Sequence, residues 1–303
     1  MSQHQFAASF TKVDHLKTYP AIDPSQPSLS AAGKTVLVTA GHTGIGYAIS
    51  NSFAVAGASR VILLARRAEV LEEAVKELSS KHPGTQFQYY PASITDHDRV
   101  KEVFVDIRKE TGEVNILVTS AAKIEAGPKA LEVEAEQLRD SFETNVMANV
   151  NLVHEFVVGA TQKNSPKIIL DVSTSAAHIA IPKSTAYGMS KAAFSRFLMH
   201  VQQDYEAEGV RVHSFHPGSI MTDAAKSVGF SEEDFHYADV QLAGDFAVWL
   251  ASDEAGFLKG RLVWSEWDVE ALKAKKADFE KDPTLLTLGL IGMPETAVPL
   301  KPK

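Results

Sequence analysis

The segment of residues 36–46, VLVTAGHTGIG, constrains the fold of this chain more than any other part of the sequence. Its first three residues are apolar and predict a strand buried on both faces. From residue 44 to residue 56 the apolar residues recur at helical spacing. A strand that leads through glycines into a helix brings backbone N–H groups and the positive helix end to one point, which suits a phosphate. Gly44 and Gly46 would let the backbone approach a pyrophosphate, although a simple tight turn is the alternative.

Composition limits the classes of function open to the 303-residue chain. Its hydrophobic fraction of 45% is ample for a packed core, and its charged fraction of 22% is ordinary for a soluble protein. A formal net charge of −8 argues against sequence-independent binding of nucleic acid. The chain has no cysteine, which excludes disulfides and thiolate metal sites, and we expect no metal. Without a long apolar run or a signal-peptide segment, we expect a cytoplasmic protein that does not enter membranes.

Strand and helix patterns alternate along most of the chain. Residues 1–32 are polar and proline-containing, and we expect an arm that lies over the domain or is partly disordered. Strands are predicted at 36–38, 60–65, 87–90, 114–118, 167–172, 210–215 and 262–264, and helices at 44–56, 69–81, 96–111, 134–159, 185–208 and 241–252. This alternation predicts an α/β fold, a doubly wound Rossmann-type parallel sheet of about seven strands with helices on both faces. No linker interrupts it, so we expect a single domain over residues 33–268 and a tail over 269–303.

The end of the second predicted strand indicates which dinucleotide the fold would bind. An acidic residue there would bind the ribose hydroxyls, whereas arginine would accept a 2′-phosphate. The chain has Arg66 and Arg67 and no acid before Glu69. Two solvated arginines are the alternative, but arginine is disfavoured at a helix N-terminus unless it binds a phosphate. We therefore expect NADP. A methyltransferase on a similar sheet would need an acidic residue after the second strand, so Arg66 argues against that class of enzyme.

Tyr187 and Lys191 are the candidate catalytic residues. They are four residues apart and therefore lie on one face of a predicted helix. A tyrosine has a pKa of roughly 10, and a neighbouring ammonium group would lower that pKa and favour proton transfer. Upstream, the hydroxyl residues Ser173, Thr174 and Ser175 follow a buried strand, at the sheet edge where α/β folds place their sites. Tyrosine would exchange a proton with a carbonyl or alcohol while hydride moves to or from a nicotinamide.

Together these motifs resemble the short-chain dehydrogenase/reductase family over about residues 33–264. The matching residues are Thr39, Gly44, Ile45 and Gly46, then Asn145, then Tyr187 and Lys191, then Pro217, Gly218, Ile220 and Thr222. The arm and the tail resemble a subgroup common in filamentous fungi and tied to secondary metabolism. The family also implies a homodimer or a homotetramer and a small-molecule carbonyl or alcohol substrate.

The resemblance implies a role for each matching position. Tyr187 would be the acid/base, Lys191 would lower its pKa and hold the nicotinamide ribose, and Asn145 would support a proton-relay water. The implied catalytic set is Tyr187, Lys191, Thr174, Asn145 and Ser173. The implied cofactor-binding set is Thr39, Gly41, His42, Thr43, Gly44, Ile45, Gly46, Arg66, Arg67, Ser93, Ile94, Ala121, Ala122, Asn145, Tyr187, Lys191, Pro217, Gly218, Ile220 and Thr222.

The chain departs from the family pattern in four places. Ala40 replaces the first turn glycine, and Ser93 replaces an aspartate that contacts adenine. Residues 119–122, TSAA, replace the family's Asn-Asn-Ala-Gly, which puts in doubt the usual bonding between neighbouring strands at this point. Thr174 falls where the family has its catalytic serine, and it keeps the hydroxyl while adding a stiffer χ1. The serines that flank it could substitute.

Two functions from different classes follow. The first is an NADP(H)-dependent ketone reductase or alcohol dehydrogenase acting on a small secondary metabolite. The second keeps the fold without the redox role, as a dinucleotide sensor, an isomerase or a cyclase.

Residues 223–239 include Val228, Phe230, Phe235 and Tyr237 without a clear period, and we expect a mobile lid rather than an ordinary surface loop.

Overall fold

A computed structural model describes residues 10–160, 166–227, 229–233 and 236–290. Seven parallel strands form one sheet in the order β3-β2-β1-β4-β5-β6-β7. The strands are β1 (Thr35–Thr39), β2 (Arg60–Ala65), β3 (Gln86–Pro91), β4 (Ile116–Thr119), β5 (Lys167–Val172), β6 (Val210–His216) and β7 (Leu262–Trp264). The chain order reverses between β1 and β4, which is where open α/β sheets bind ligands. The predicted fold class is confirmed.

Helices cover both faces of this sheet. They are α1 (Gly44–Val55), α2 (Ala68–Lys81), α3 (His97–Thr111), α4 (Ala135–Phe142), α5 (Ala148–Val157), α6 (Thr185–Tyr205), α7 (Asp223–Ser227), α8 (Val240–Ala251), α9 (Val269–Ala274) and α10 (Lys276–Lys281). One core lies between the sheet and α1, α2 and α8, and the other lies between the sheet and α3, α5 and α6. Among the described helices, none is both long enough and apolar enough for a membrane crossing.

Strand periodicity divides the buried residues between the two cores. In β1, Val36 and Val38 join the core under α1 and α8, whereas Leu37 joins the core under α3 and α5. Successive strand side chains point to opposite faces, so a strand covered on both sides must be apolar at every position. The continuous apolar runs in the sequence have this cause.

The helix predicted over residues 134–159 is interrupted in the structure. A capping box between Glu134 and Gln137 starts α4, and a π-helical turn over Glu143–Met147 then joins α4 to α5. The Asn149 side chain donates to the carbonyl oxygens of Thr144 at 3.3 Å and of Asn145 at 3.1 Å, which serves backbone acceptors of the wider turn. Such turns occur mostly at functional sites.

The N-terminal arm lies against the C-terminal part of the chain. Phe10 stacks on Trp267 with ring centroids 4.7 Å apart, and the Thr18 hydroxyl donates to Asp245 in α8. The Arg261 guanidinium donates to the carbonyl oxygens of Phe279 at 3.0 Å and of Leu285 at 3.1 Å, which fixes the tail. The described parts of arm and tail therefore pack on the core, while the boundaries at 32/33 and 268/269 stay predictions.

Candidate active site

The glycine turn between β1 and α1 packs so tightly that two of its glycines leave no room for a side chain. A Cβ on Gly46 would lie 2.4 Å from the carbonyl oxygen of Ala40, and one on Gly41 would lie 2.7 Å from Leu63. Gly44 and Ala40 both have a φ of 52°, which is ordinary for glycine and costs alanine about 1 kcal/mol or more. The turn leads into the N-terminus of α1, where the first backbone N–H groups of a helix have no partner within the helix. Such a helix end fits a diphosphate.

Thr39 ties this turn to the neighbouring strand. Its hydroxyl accepts hydrogen bonds from the backbone N–H groups of Ser120 and Ala121, both at 2.9 Å, and donates to the carbonyl oxygen of Val118 at 3.3 Å. The strand ends β1 and β4 are therefore joined although residues 119–122 depart from the family pattern. Thr39 is fully buried, so its hydroxyl serves the scaffold.

A cavity of about 610 Å³ opens at the carboxyl ends of β1, β2, β3 and β4. His42 lines it with its Nδ1 atom buried and without a hydrogen-bond partner among the described residues. Burial, together with the charge of Arg67, lowers the pKa of His42, so this ring is neutral at pH 7. The predicted cofactor residues that line this cavity are His42, Arg66, Arg67, Ser93, Ile94, Ala121 and Ala122. Its place at the carboxyl ends of the strands, its two arginines and its unpaired ring nitrogen fit the adenosine half of a dinucleotide.

A second cavity of about 490 Å³ adjoins the first, and Ile124 lines both. Its predicted lining residues are Ser173, Thr174, Tyr187, Ile45, Pro217, Gly218, Ile220 and Thr222. A Cβ on Gly44 would lie 3.4 Å from Thr222, so the loop after β6 lies against the glycine turn. Residues that the sequence reasoning missed also line it, among them Ile124, Glu125, Lys183 and His216. These residues belong to no sequence motif, and they line the cavity only because the fold brings them together.

Tyr187 and Thr174 both line the wall of this second cavity. Burial raises the pKa of Tyr187 to about 12, with the Thr174 hydrogen bond lowering it and the charge of Asp171 raising it. A Cβ on Gly188 would lie 2.9 Å from the carbonyl oxygen of Ala176, so α6 presses directly on the turn that carries Thr174. This close approach holds the helix that carries Tyr187 against the turn that carries Thr174.

Lys191 forms a buried ion pair, and its expected effect on the pKa of Tyr187 stays a prediction. Its Nζ atom donates to Oδ1 of Asp171 at 3.0 Å and to the carbonyl oxygen of Val172 at 2.8 Å. The Lys191 and Asp171 side chains are 2% and 0% exposed. The ammonium charge is thus balanced by a carboxylate that the spacing of Tyr187 and Lys191 could not reveal.

Asn145 lies in the π-helical turn and uses its side chain within the protein. Its Oδ1 atom accepts from the Lys123 N–H at 2.8 Å, and its Nδ2 atom donates to the Lys123 carbonyl oxygen at 3.0 Å and to Ser190 Oγ at 2.9 Å. Ser190 in turn donates to the carbonyl oxygen of Tyr187 at 2.9 Å. Asn145 therefore positions the helix that carries Tyr187, and its relay role stays a prediction.

The two serines beside Thr174 differ in their partners. Ser173 Oγ pairs with Ser195 Oγ at 3.1 Å, whereas Ser175 Oγ is buried and has no partner within the described ranges. Both residues line the cavity, but Thr174 is the one whose hydroxyl group lowers the pKa of Tyr187. The assignment of Thr174 as the second catalytic hydroxyl stays a prediction with this support.

The segment after the β6 loop forms part of the cavity wall. Phe230 and Tyr237 line the cavity, and the backbone N–H of Ala238 donates to the Ser219 carbonyl oxygen at 2.7 Å. Phe230 is 39% exposed, so it stands between the cavity and solvent. The lid stays a prediction, and its residues Val228 and Phe235 lie outside the described residues.

Comparison with known proteins agrees with this geometry. A family profile described as short chain dehydrogenase matches residues 34–233. The chain is 35% identical over 285 residues to the short chain dehydrogenase/reductase nsrO of Aspergillus novofumigatus, covering 93% of this chain and 96% of that protein. It is 34% identical over 291 residues to AacuD, a short chain dehydrogenase/reductase of Aspergillus aculeatus, covering 96% and 100%.

Solved structures share the fold at lower identity. L-sorbose reductase from Gluconobacter frateurii, solved with NADPH and L-sorbose, superposes with a TM-score of 0.69 at 23% identity, over 78% of this chain and 96% of that chain. A 7α-hydroxysteroid dehydrogenase, solved with NADH and 7-oxo glycochenodeoxycholic acid, gives 0.70 at 27% identity, over 82% and 96%. From sequence match, fold and site together, the chain belongs to the short-chain dehydrogenase/reductase family of oxidoreductases.

Proposed function

We propose that the protein is an NADP(H)-dependent oxidoreductase that transfers hydride between the nicotinamide and a ketone or secondary alcohol of a small secondary metabolite. The observation that carries the proposal is that Tyr187 and Thr174 line one cavity, which adjoins a second cavity lined by Arg66 and Arg67. NADP would supply or accept the hydride. Tyr187 would give its phenolic proton to the carbonyl oxygen, and Thr174 would hold that oxygen with its hydroxyl group.

The preference for NADP rests on charge. Arg66 and Arg67 line the first cavity, and the nearby His42 ring adds a hydrogen-bonding nitrogen without a charge. A guanidinium pair suits a 2′-phosphate and offers nothing specific to the ribose hydroxyls of NAD.

The substrate class follows from the second cavity. Its lining is largely apolar, with Ile45, Ile124, Ile181 and Phe230 among the side chains. Such a surface favours a ketone with an apolar body. The fungal relatives and the resemblance of arm and tail to a fungal subgroup support a secondary metabolite.

The test is a panel of aliphatic and aromatic ketones, with NADPH consumption followed by absorbance. We expect turnover with apolar ketones, and we expect Tyr187→Phe to abolish it while NADPH still binds. Equal turnover by Tyr187→Phe would refute the catalytic role of Tyr187.

The assembly and the compartment belong to the same proposal. The family resemblance implies a homodimer or a homotetramer, and the sequence, which lacks a long apolar run and a signal-peptide segment, leads us to expect the cytoplasm. Light scattering on the eluting protein distinguishes these assemblies from a monomer, and fluorescent tagging in a fungal cell tests the compartment.

One observation favours a function without redox chemistry. Ala40, Ser93 and Thr174 depart from the family pattern, and Ala40 and Ser93 line the first cavity while Thr174 lines the second. An isomerase, a cyclase or a dinucleotide sensor would bind NADPH and leave its concentration unchanged across the whole panel.

A further inference from the structure

Two buried polar side chains of the second cavity have no hydrogen-bond partner among the described residues. His216 and Ser175 both line this cavity, and they are 5% and 1% exposed. The unpartnered atoms are Nδ1 and Nε2 of His216 and Oγ of Ser175. A buried polar group without a partner costs free energy, which a hydrogen bond to a bound molecule recovers. The proposed proton transfer from Tyr187 gives the His216 ring no role.

Two paired strands bring these side chains to the same edge of the sheet. His216 is the last residue of β6, and Ser175 lies just after the end of β5. The two strands pair in parallel, and the Ser173 N–H donates to the Phe215 carbonyl oxygen at 2.7 Å. The carboxyl ends of both strands therefore meet at the cavity, which is where open α/β sheets bind their ligands.

The polar groups around the His216 ring have partners of their own. The Trp264 ring packs against it edge to face, with ring centroids 4.7 Å apart and an angle of 75° between the planes. The Trp264 N–H, however, donates to His178 Nε2 at 3.2 Å. Ser173 Oγ likewise pairs with Ser195 Oγ at 3.1 Å. The ring is thus packed by a neighbour that leaves its nitrogens available to a ligand.

The protonation state of His216 limits which ligand group suits it. Burial and the neighbouring His178 lower the pKa of His216 to about 3, so the ring is neutral at pH 7. A neutral imidazole has one N–H donor and one acceptor nitrogen, and a serine hydroxyl can also donate and accept. A hydroxyl group matches this pair because it too donates and accepts. A carbonyl or ether oxygen only accepts, and a carboxylate binds best to a charged donor.

We propose that His216 and Ser175 bind a hydroxyl group of the substrate, so that the ketone is a hydroxyketone with an otherwise apolar body. This inference rests on the proposed function and names the substrate class of the same site. The ketone oxygen lies at Tyr187 and Thr174, and the hydroxyl group lies at His216 and Ser175. Because the χ2 torsion of histidine is broad, the ring can turn a nitrogen toward the ligand while it stays packed on Trp264.

The first measurement compares α-tetralone with its isomeric derivatives that carry one phenolic hydroxyl group. Each compound is titrated calorimetrically into the protein with bound NADP⁺, because a ketone and the oxidised cofactor cannot react and binding alone is measured. We expect at least one isomer to bind at least about tenfold more tightly than α-tetralone, because the parent compound leaves the buried polar groups unpaired. If every isomer falls short of that preference, the proposal is overturned.

His216→Phe is the decisive variant, because phenylalanine keeps a ring against Trp264 and removes both nitrogens. The preference of the best isomer over α-tetralone should fall below about twofold in this variant, and Ser175→Ala should weaken it in part. His213→Phe is the matched control, because His213 is a fully buried histidine of β6 that lines neither cavity. A full preference in His216→Phe or in Ser175→Ala, or its loss in His213→Phe, overturns the proposal.

Cofactor affinity and turnover separate this inference from its alternatives. NADPH should bind His216→Phe within about twofold of the unmodified protein, and a larger loss would assign the ring to the cofactor and overturn the proposal. Near-ultraviolet circular dichroism establishes folding, and if His216→Phe does not fold, the unmodified protein and Ser175→Ala decide. Turnover of NADPH without a hydroxyl preference refutes this inference alone. A hydroxyl preference without any turnover refutes the proposed function and leaves the hydroxyl-binding site intact.

Discussion

Gly188→Ala tests whether the approach of α6 to the Thr174 turn maintains the catalytic geometry. The added Cβ would lie 2.9 Å from the carbonyl oxygen of Ala176. A relaxed carbon–oxygen contact is about 3.3–3.6 Å, so helix and turn must separate by roughly 0.5 Å. A displacement of about 1 Å in an active site can cost a hundredfold in rate, so we expect turnover at least about tenfold lower.

Stability should not fall in parallel with activity. Alanine is favoured over glycine inside a helix by about 1 kcal/mol, which offsets the strain of the contact. The assay is therefore NADPH consumption with the best ketone of the panel, beside the free energy of unfolding in denaturant. Gly84→Ala is the control, because a Cβ at Gly84 meets nothing within 4 Å. Turnover of Gly188→Ala above half that of the unmodified enzyme would refute the reasoning.

Four further predictions follow from the site. NADPH should bind at least about tenfold tighter than NADH, roughly 1.4 kcal/mol, and Arg66→Ala should remove most of that gap; equal affinities before mutation contradict it. Thr174→Val should lower turnover about a hundredfold at unchanged NADPH affinity, with Thr174→Ser active and Ser173→Ala milder; a dead Ser173→Ala beside an active Thr174→Val would move the role to Ser173. Ala40→Gly should raise the free energy of unfolding by about 0.5 kcal/mol, because it relieves a positive φ; a loss of stability would show that the turn is unstrained. Hydrogen exchange in residues 223–239 should slow when cofactor and ketone bind together, and unchanged protection argues against a lid.

Much of the fold could be predicted because its signals are local. Residues 36–38 had to lie inside a sheet covered on both faces, and the glycines after them had to form a turn into a helix. The four-residue spacing of Tyr187 and Lys191 placed both on one helix face. The π-helical turn at Asn145 was not predicted. It depends on side-chain hydrogen bonds, whereas the sequence of this segment has the period of one uninterrupted helix.

The sequence by itself determined the fold class, the glycine turn, the two arginines, and the place of tyrosine and lysine on one helix. Tertiary structure decided what these groups do to one another. Asp171 is 20 residues from Lys191 in the chain and reaches its Nζ atom only because β5 runs beneath α6. The raised pKa of Tyr187 likewise comes from burial, which is a property of every atom packed around the phenol. Local patterns specify which groups are present, but charge balance and desolvation depend on distances through space, and these exist only once the chain has folded.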